Sequence, residues 1–132
     1  MGKDTMLVLV IGSALREVCG DQAALGLEFV AEARTAPRYR LFSLEDRWAA
    51  LVPVDEGGIS VPGELVELPE VRWEEILATE PPGITPGPVE LDDGRMVTAA
   101  LGDPGYLEEH GRDITEHGGF AAYLRSTGPV GG

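Results

Sequence analysis

Trp73, Ile76, Leu77 and Glu80 fall at i, i+3, i+4 and i+7, so a helix over Val71 to Thr79 would carry a carboxylate at the end of its apolar stripe. A carboxylate in that place meets the negative end of the helix dipole. If Trp73 and Leu77 also take it out of water, its pKa rises, and such a group suits general-base work. The competing reading is plain: the chain has 23 Asp and Glu, and most acids on a protein are solvated.

Two other groups could meet a substrate. Gly12-Ser13-Ala14-Leu15 follows the apolar run Met6 to Ile11, and small residues at a strand end leave backbone N–H groups free to converge on an anion. A Gly-Ser pair is equally an ordinary turn. Around Thr35-Ala36-Pro37, the residues Arg34, Arg38, Tyr39 and Arg40 form a cationic corner in an acidic chain, which would draw a small anionic metabolite. The alternative is that Arg34 and Arg38 offset nearby Glu and that Tyr39 belongs to the core. His110 and His117 match no short metal-binding spacing, so both read as solvated residues near glycines, and neither a metal nor another cofactor is expected. Cys19 has no base near it in sequence and reads as a buried or incidental thiol.

The elements that position these groups follow from pattern. Met6 to Ile11 is continuously apolar, as in a central strand covered on both faces. Strands are expected from about Phe29 to Thr35 and over Tyr39 to Leu44. A further strand, Trp48 to Val54, should pair through the turn Asp55-Glu56-Gly57-Gly58 with Ile59 to Leu65 as a hairpin. Glu80 to Pro88 holds four prolines and cannot be helical, so it is expected to be a loop. Asp92-Asp93-Gly94 joins Val89–Leu91 and Met96–Leu101 in a second hairpin. Short helices are expected over Tyr106–His110 and Gly119–Arg125. The fold class is α+β, with a curved, mostly antiparallel sheet or small β-barrel flanked by short helices.

A chain of 132 residues, 43% hydrophobic, suits one domain, placed at 5–126, with residues 127–132 expected as a disordered tail. Ten Lys and Arg against 23 Asp and Glu give a net charge of -13, which repels nucleic acid and anionic membranes. The single cysteine and the lack of a visible targeting or membrane-spanning segment lead to the expectation of a cytoplasmic protein.

Three stretches carry a family resemblance: Gly12-Ser13-Ala14-Leu15, Phe29 to Leu44, and Asp113-Ile114-Thr115 with Gly118-Gly119-Phe120-Ala121-Ala122-Tyr123-Leu124. Together they resemble the C-terminal domain of allophanate hydrolases, which belongs to the γ-glutamylcyclotransferase-like fold. The resemblance runs from about Leu7 to Arg125 with no amidase segment before it, so a stand-alone homologue is expected. It implies that the Gly12–Leu15 loop lines a substrate cavity through its main chain and that Tyr39, in the Thr-X-Pro-X-Tyr-Arg-Leu run, reaches the pocket. On the cyclotransferase pattern Glu80 falls on or beside the catalytic Glu, whereas allophanate hydrolase domains generally lack an acid there. Two functions follow. One is a small-molecule enzyme acting on a urea-derived or γ-glutamyl-like anion, with substrate met by Gly12, Ser13, Ala14, Leu15, Arg38 and Tyr39 and a proton moved by Glu80. The implied reaction is decarboxylation of N-carboxycarbamate, or else cyclotransfer. The other is a non-catalytic accessory domain that partners an amidase or forms a homodimer.

Overall fold

Strand β1 (Thr5–Val10) lies at the centre of the sheet, as its unbroken apolar run predicts. The computed structural model describes residues 5–127. After β1 come α1 (Arg16–Cys19), a 3-10 turn at Ala23–Leu25, β2 (Glu28–Arg34), β3 (Tyr39–Leu44), β4 (Trp48–Pro53) and β5 (Pro62–Pro69). The second half holds α2 (Glu70–Leu77), β6 (Ile84–Glu90), β7 (Met96–Gly102), α3 (Pro104–His110), β8 (Arg112–Asp113), a 3-10 turn at Thr115–His117 and α4 (Phe120–Thr127). Residues 128–132 of the expected tail lie outside the described residues.

The strand order is β2-β5-β1-β7-β4-β3-β8, with β6 on β7, an open path rather than a closed barrel. Pairing is antiparallel except where β7 meets β1, at Val8↔Thr98, and β4, at Leu51↔Leu101. Because β6 fills the other edge of β7 from Ile84↔Gly102 to Glu90↔Met96, β1 and β4 must share one edge. The sheet splits between them, and the residues after β1 turn into that split.

Alternation along β1 and β5 divides the core. Leu9 and Leu65 join the larger cluster with Leu41, Leu51, Phe120 and Tyr123. Val8, Val66 and Leu68 face the other way, under Trp73 and Ile76 of α2. Each such buried aliphatic side chain contributes roughly 2 kcal/mol, so burial on both faces fixes β1 at the centre. A third cluster of Leu44, Ala50, Val52, Ile84 and Leu107 seats α3.

Two expectations give way. Trp48 to Val54 forms no hairpin with the segment after Gly58: β4 pairs with β3 and β7, and β5 pairs with β1 and β2. The Asp55–Gly58 turn marks a change of partner, with Ile59 touching β3 only at an isolated bridge to Tyr39. The proline-rich stretch is not all loop either, since Ile84–Glu90 is a strand carrying Pro86 and Pro88. Prolines two residues apart lack their N–H on the same edge. With β7 as its only ladder partner among the described strands, β6 turns that edge outward.

Candidate functional site

The loop after β1 is built for close approach. A Cβ on Gly12 would stand 2.8 Å from the Ala49 Cβ of β4, nearer than packed carbons come, so only glycine lets the loop cross the split. The turn closes with the Leu15 N–H donating to the Gly12 carbonyl at 3.0 Å. Leu15 points into the core, Ser13 is exposed, and Ala14 packs on the cluster that holds Trp73 and Ile76.

A network from distant residues holds this loop. Glu64 of β5, nearly buried, accepts at Oε1 from the Arg16 backbone N–H (3.0 Å) and from Gln22 Nε2 (2.8 Å), and at Oε2 from Arg16 Nε (3.0 Å). Gln22 Nε2 also donates to the Ala14 carbonyl at 2.8 Å. The amide just past the loop therefore already binds a carboxylate, and that carboxylate is the protein's own. The Gln22 amide oxygen, Oε1, is buried and has no partner among the described residues. Cys19 sits beside the loop with its Sγ 3.5 Å from the Ala14 carbonyl.

Glu80 follows the end of α2, its N–H donating to the Leu77 carbonyl at 3.1 Å, ahead of Pro81-Pro82. It is half-buried, and burial raises its carboxyl above the usual range. Among the described residues it has no ion-pair partner. Ile76, one turn earlier, and Ala14 meet the same apolar cluster, so the helix and the loop lie over one face of the sheet.

Arg38 and Tyr39 are drawn to a different place. Tyr39 is buried in the larger core, and its hydroxyl accepts the Glu90 backbone N–H at 2.9 Å. Exposed Arg38 pairs with the Glu90 carboxylate at 3.4 Å. Both residues thus tie the Pro37 corner to β6.

A cavity of about 560 Å³ opens on the side of the loop where Leu15 lies. Its walls come from Arg34 of β2, Gly63 and Glu64 of β5, Asp92 of the β6–β7 turn, and the stretch from His117 to Ala122. Of the residues singled out for a site, Leu15 lines it, while Gly12, Ser13, Ala14, Arg38, Tyr39 and Glu80 do not. His117 is half-buried in its wall and stacks edge-on to Tyr123, whereas His110 is exposed beside Tyr106. Among the described residues no group of His, Cys, Asp and Glu is arranged to hold a metal ion, and no helix is long and apolar enough to cross a membrane.

Sequence reading missed Glu64, Gln22 and Asp92. Glu64 had a signal: it shares a strand face with the apolar Val66 and Leu68, and an acid there must find donors.

The open mixed sheet has the γ-glutamylcyclotransferase-like class of fold. Within that class, the chain belongs to the allophanate hydrolase C-terminal domain family, which it matches over residues 6–125. It is 24% identical over 130 residues to the urea amidolyase of Lachancea kluyveri, a match covering 92% of this chain and 7% of that protein's length. The crystal structure of c4763, a uropathogenic E. coli-specific protein, is 35% identical with a TM-score of 0.80, covering 92% of this chain and 97% of the other. The fold likeness reaches a γ-glutamyl cyclotransferase at 11% identity and a TM-score of 0.53, over 96% of this chain and 82% of that one.

Proposed function

We propose that this domain binds a small anionic, urea-derived or γ-glutamyl-like molecule between the Gly12–Leu15 loop and the end of α2, and that Glu80 moves a proton in its conversion. The observation that carries the reading is the half-buried Glu80 carboxyl, raised by burial and without a salt bridge among the described residues, on the face of the sheet where Ala14 packs. A carboxyl that holds its proton more readily than a solvated one fits the reaction that the family suggests. When N-carboxycarbamate loses CO2, the electron pair of the broken C–N bond stays on nitrogen, and an acid must protonate it to give carbamate. In its ionised form the same group would serve cyclotransfer by taking a proton from the attacking amine.

Within this reading, the exposed Ser13 and the loop main chain contact the substrate. Tyr39 and Arg38, bound to Glu90, act from behind by holding the corner against β6. The test supplies N-carboxycarbamate from an allophanate-hydrolysing amidase and follows CO2 release with this domain and with Glu80→Gln. The parent should exceed spontaneous decay, and the variant should lose on the order of a hundredfold of that excess. Equal rates in parent and variant would remove Glu80 from the chemistry.

A second reading, an accessory domain docking on an amidase or on its own copy, draws on the apolar side chains that the sheet leaves in water. Phe29 and Val30 on edge strand β2 are 37% and 48% exposed, and Val71 and Met96 are 65% and 58% exposed. No acceleration by the parent, together with a mass increase when the domain is mixed with the amidase, would favour it.

A further inference from the structure

The 560 Å³ cavity presents two opposite charges that the protein does not use on each other. In this acidic chain, Arg16, Arg38, Arg40, Arg72, Arg95 and Arg125 each pair with a carboxylate. Arg34, like Arg47 over Trp48 and Arg112 beside Tyr123, has no such pair among the described residues: its Nε donates to the Ser60 hydroxyl at 3.2 Å and its Nη2 to the Ser60 carbonyl at 2.9 Å, both neutral acceptors. Ser60 anchors the guanidinium, because its own hydroxyl donates to the Thr35 carbonyl at 2.6 Å. A guanidinium has five N–H donors, so the charge and three donors of Arg34 remain for a ligand.

Asp92 is the counterpart. Its backbone N–H donates to the Arg34 carbonyl at 2.9 Å, which places the two residues side by side in the cavity wall. Its carboxylate makes no hydrogen bond or ion pair among the described residues. The small residues Gly63, Gly119 and Ala121 also line the wall. The volume is that of an ordinary small-molecule pocket.

We propose that this cavity is a binding site for a small α-amino acid, with the ligand carboxylate on Arg34 and its ammonium on Asp92. A simple anion would satisfy Arg34 but meet the field of Asp92, Glu32 and Glu64. A simple amine would meet the acids but leave Arg34 uncompensated. A zwitterion answers both, and its net neutrality removes the repulsion that a chain of charge -13 exerts on free anions. The site is separate from Glu80, which is not in its walls.

The test is calorimetric titration of the whole chain with glycine, L-alanine and L-glutamate, against acetate and methylammonium at matched ionic strength. At least one amino acid should bind saturably and about tenfold or more tightly than either single-charge probe, since each charge-assisted contact is worth more than 1 kcal/mol. Arg34→Gln should abolish binding. Asp92→Asn should weaken the amino acid by about tenfold and erase its advantage over acetate. Both positions are exposed, so circular dichroism should show the parent fold, and Glu80→Gln should bind as the parent does. Absence of saturable binding for all three amino acids at millimolar concentration, equal binding of acetate by the parent, or binding unchanged in both cavity variants would overturn the site.

Discussion

The carboxylate of Glu64 accepts the backbone N–H of Arg16 at 3.0 Å, although the two residues stand 48 positions apart. Through that bond and its contact with Gln22, strand β5 sets the path of the chain leaving the glycine loop. Glu64→Leu should therefore strand the Arg16 and Gln22 donors and lower stability by about 2 kcal/mol, read as an earlier urea midpoint. Glu64→Gln keeps an acceptor and should lose less. Equal midpoints for parent and Glu64→Leu would show that the network carries no weight.

Gly12 against Ala49 gives a second expectation. Gly12→Ala places a methyl 2.8 Å from the Ala49 Cβ and should cost about 1–3 kcal/mol as overpacking. Ala49→Gly in the same chain should recover part of that loss, and a double-mutant cycle on urea midpoints checks it. Additive losses would contradict the contact.

In the turn between β3 and β4, Glu45 and Asp46 both hold φ at 58°, where non-glycine residues are strained. Only Asp46 is repaid, since its Oδ1 accepts from the hydroxyls of Ser43 at 2.7 Å and Tyr123 at 2.8 Å. The Ser43 bond first and the Tyr123 bond next lower its carboxyl pKa, with Arg112 adding a smaller pull, against a contrary push from burial. Glu45→Gly should raise the melting temperature and Asp46→Gly should lower it. Two changes of the same sign would mean that strain and side-chain bonding are not separable here.

Much of this fold is legible in local pattern. Tyr39–Leu44 matches its strand to the residue, and the turn at Asp92-Asp93-Gly94 joins β6 to β7 as expected, because both are decided by neighbours in sequence. The partner of β5 is decided elsewhere. Nothing between Asp55 and Leu65 announces that the strand will cross to β1, and Pro86 and Pro88 hide a strand because sequence does not say which edge will be free. The same division holds at the site. Glu80 is visible as the end of an apolar helical stripe, whereas the cavity beside Leu15 is made by residues from Glu17 to Arg125 that meet only after folding. The corner cations divide likewise, Arg38 being paired and Arg34 left for the cavity, a difference set by where Glu90 and Ser60 arrive.

Glu80 carries the central claim, and its titration tests that claim most directly. Burial raises its pKa from the ordinary value of 4.5 in the folded state, so between that value and the folded pKa the native protein holds more protons than the unfolded chain. This contribution to stability is therefore present at low pH and lost as pH rises through the window. Glu80→Gln should be less sensitive to pH there and more stable than the parent at neutrality. The direct measurement is the side-chain carboxyl carbon of Glu80 followed by NMR against pH, assigned by its absence in Glu80→Gln. A midpoint clearly above 4.5 is the expected result. A midpoint at or below that value would show a solvated acid, and the proton-moving role would fall with it.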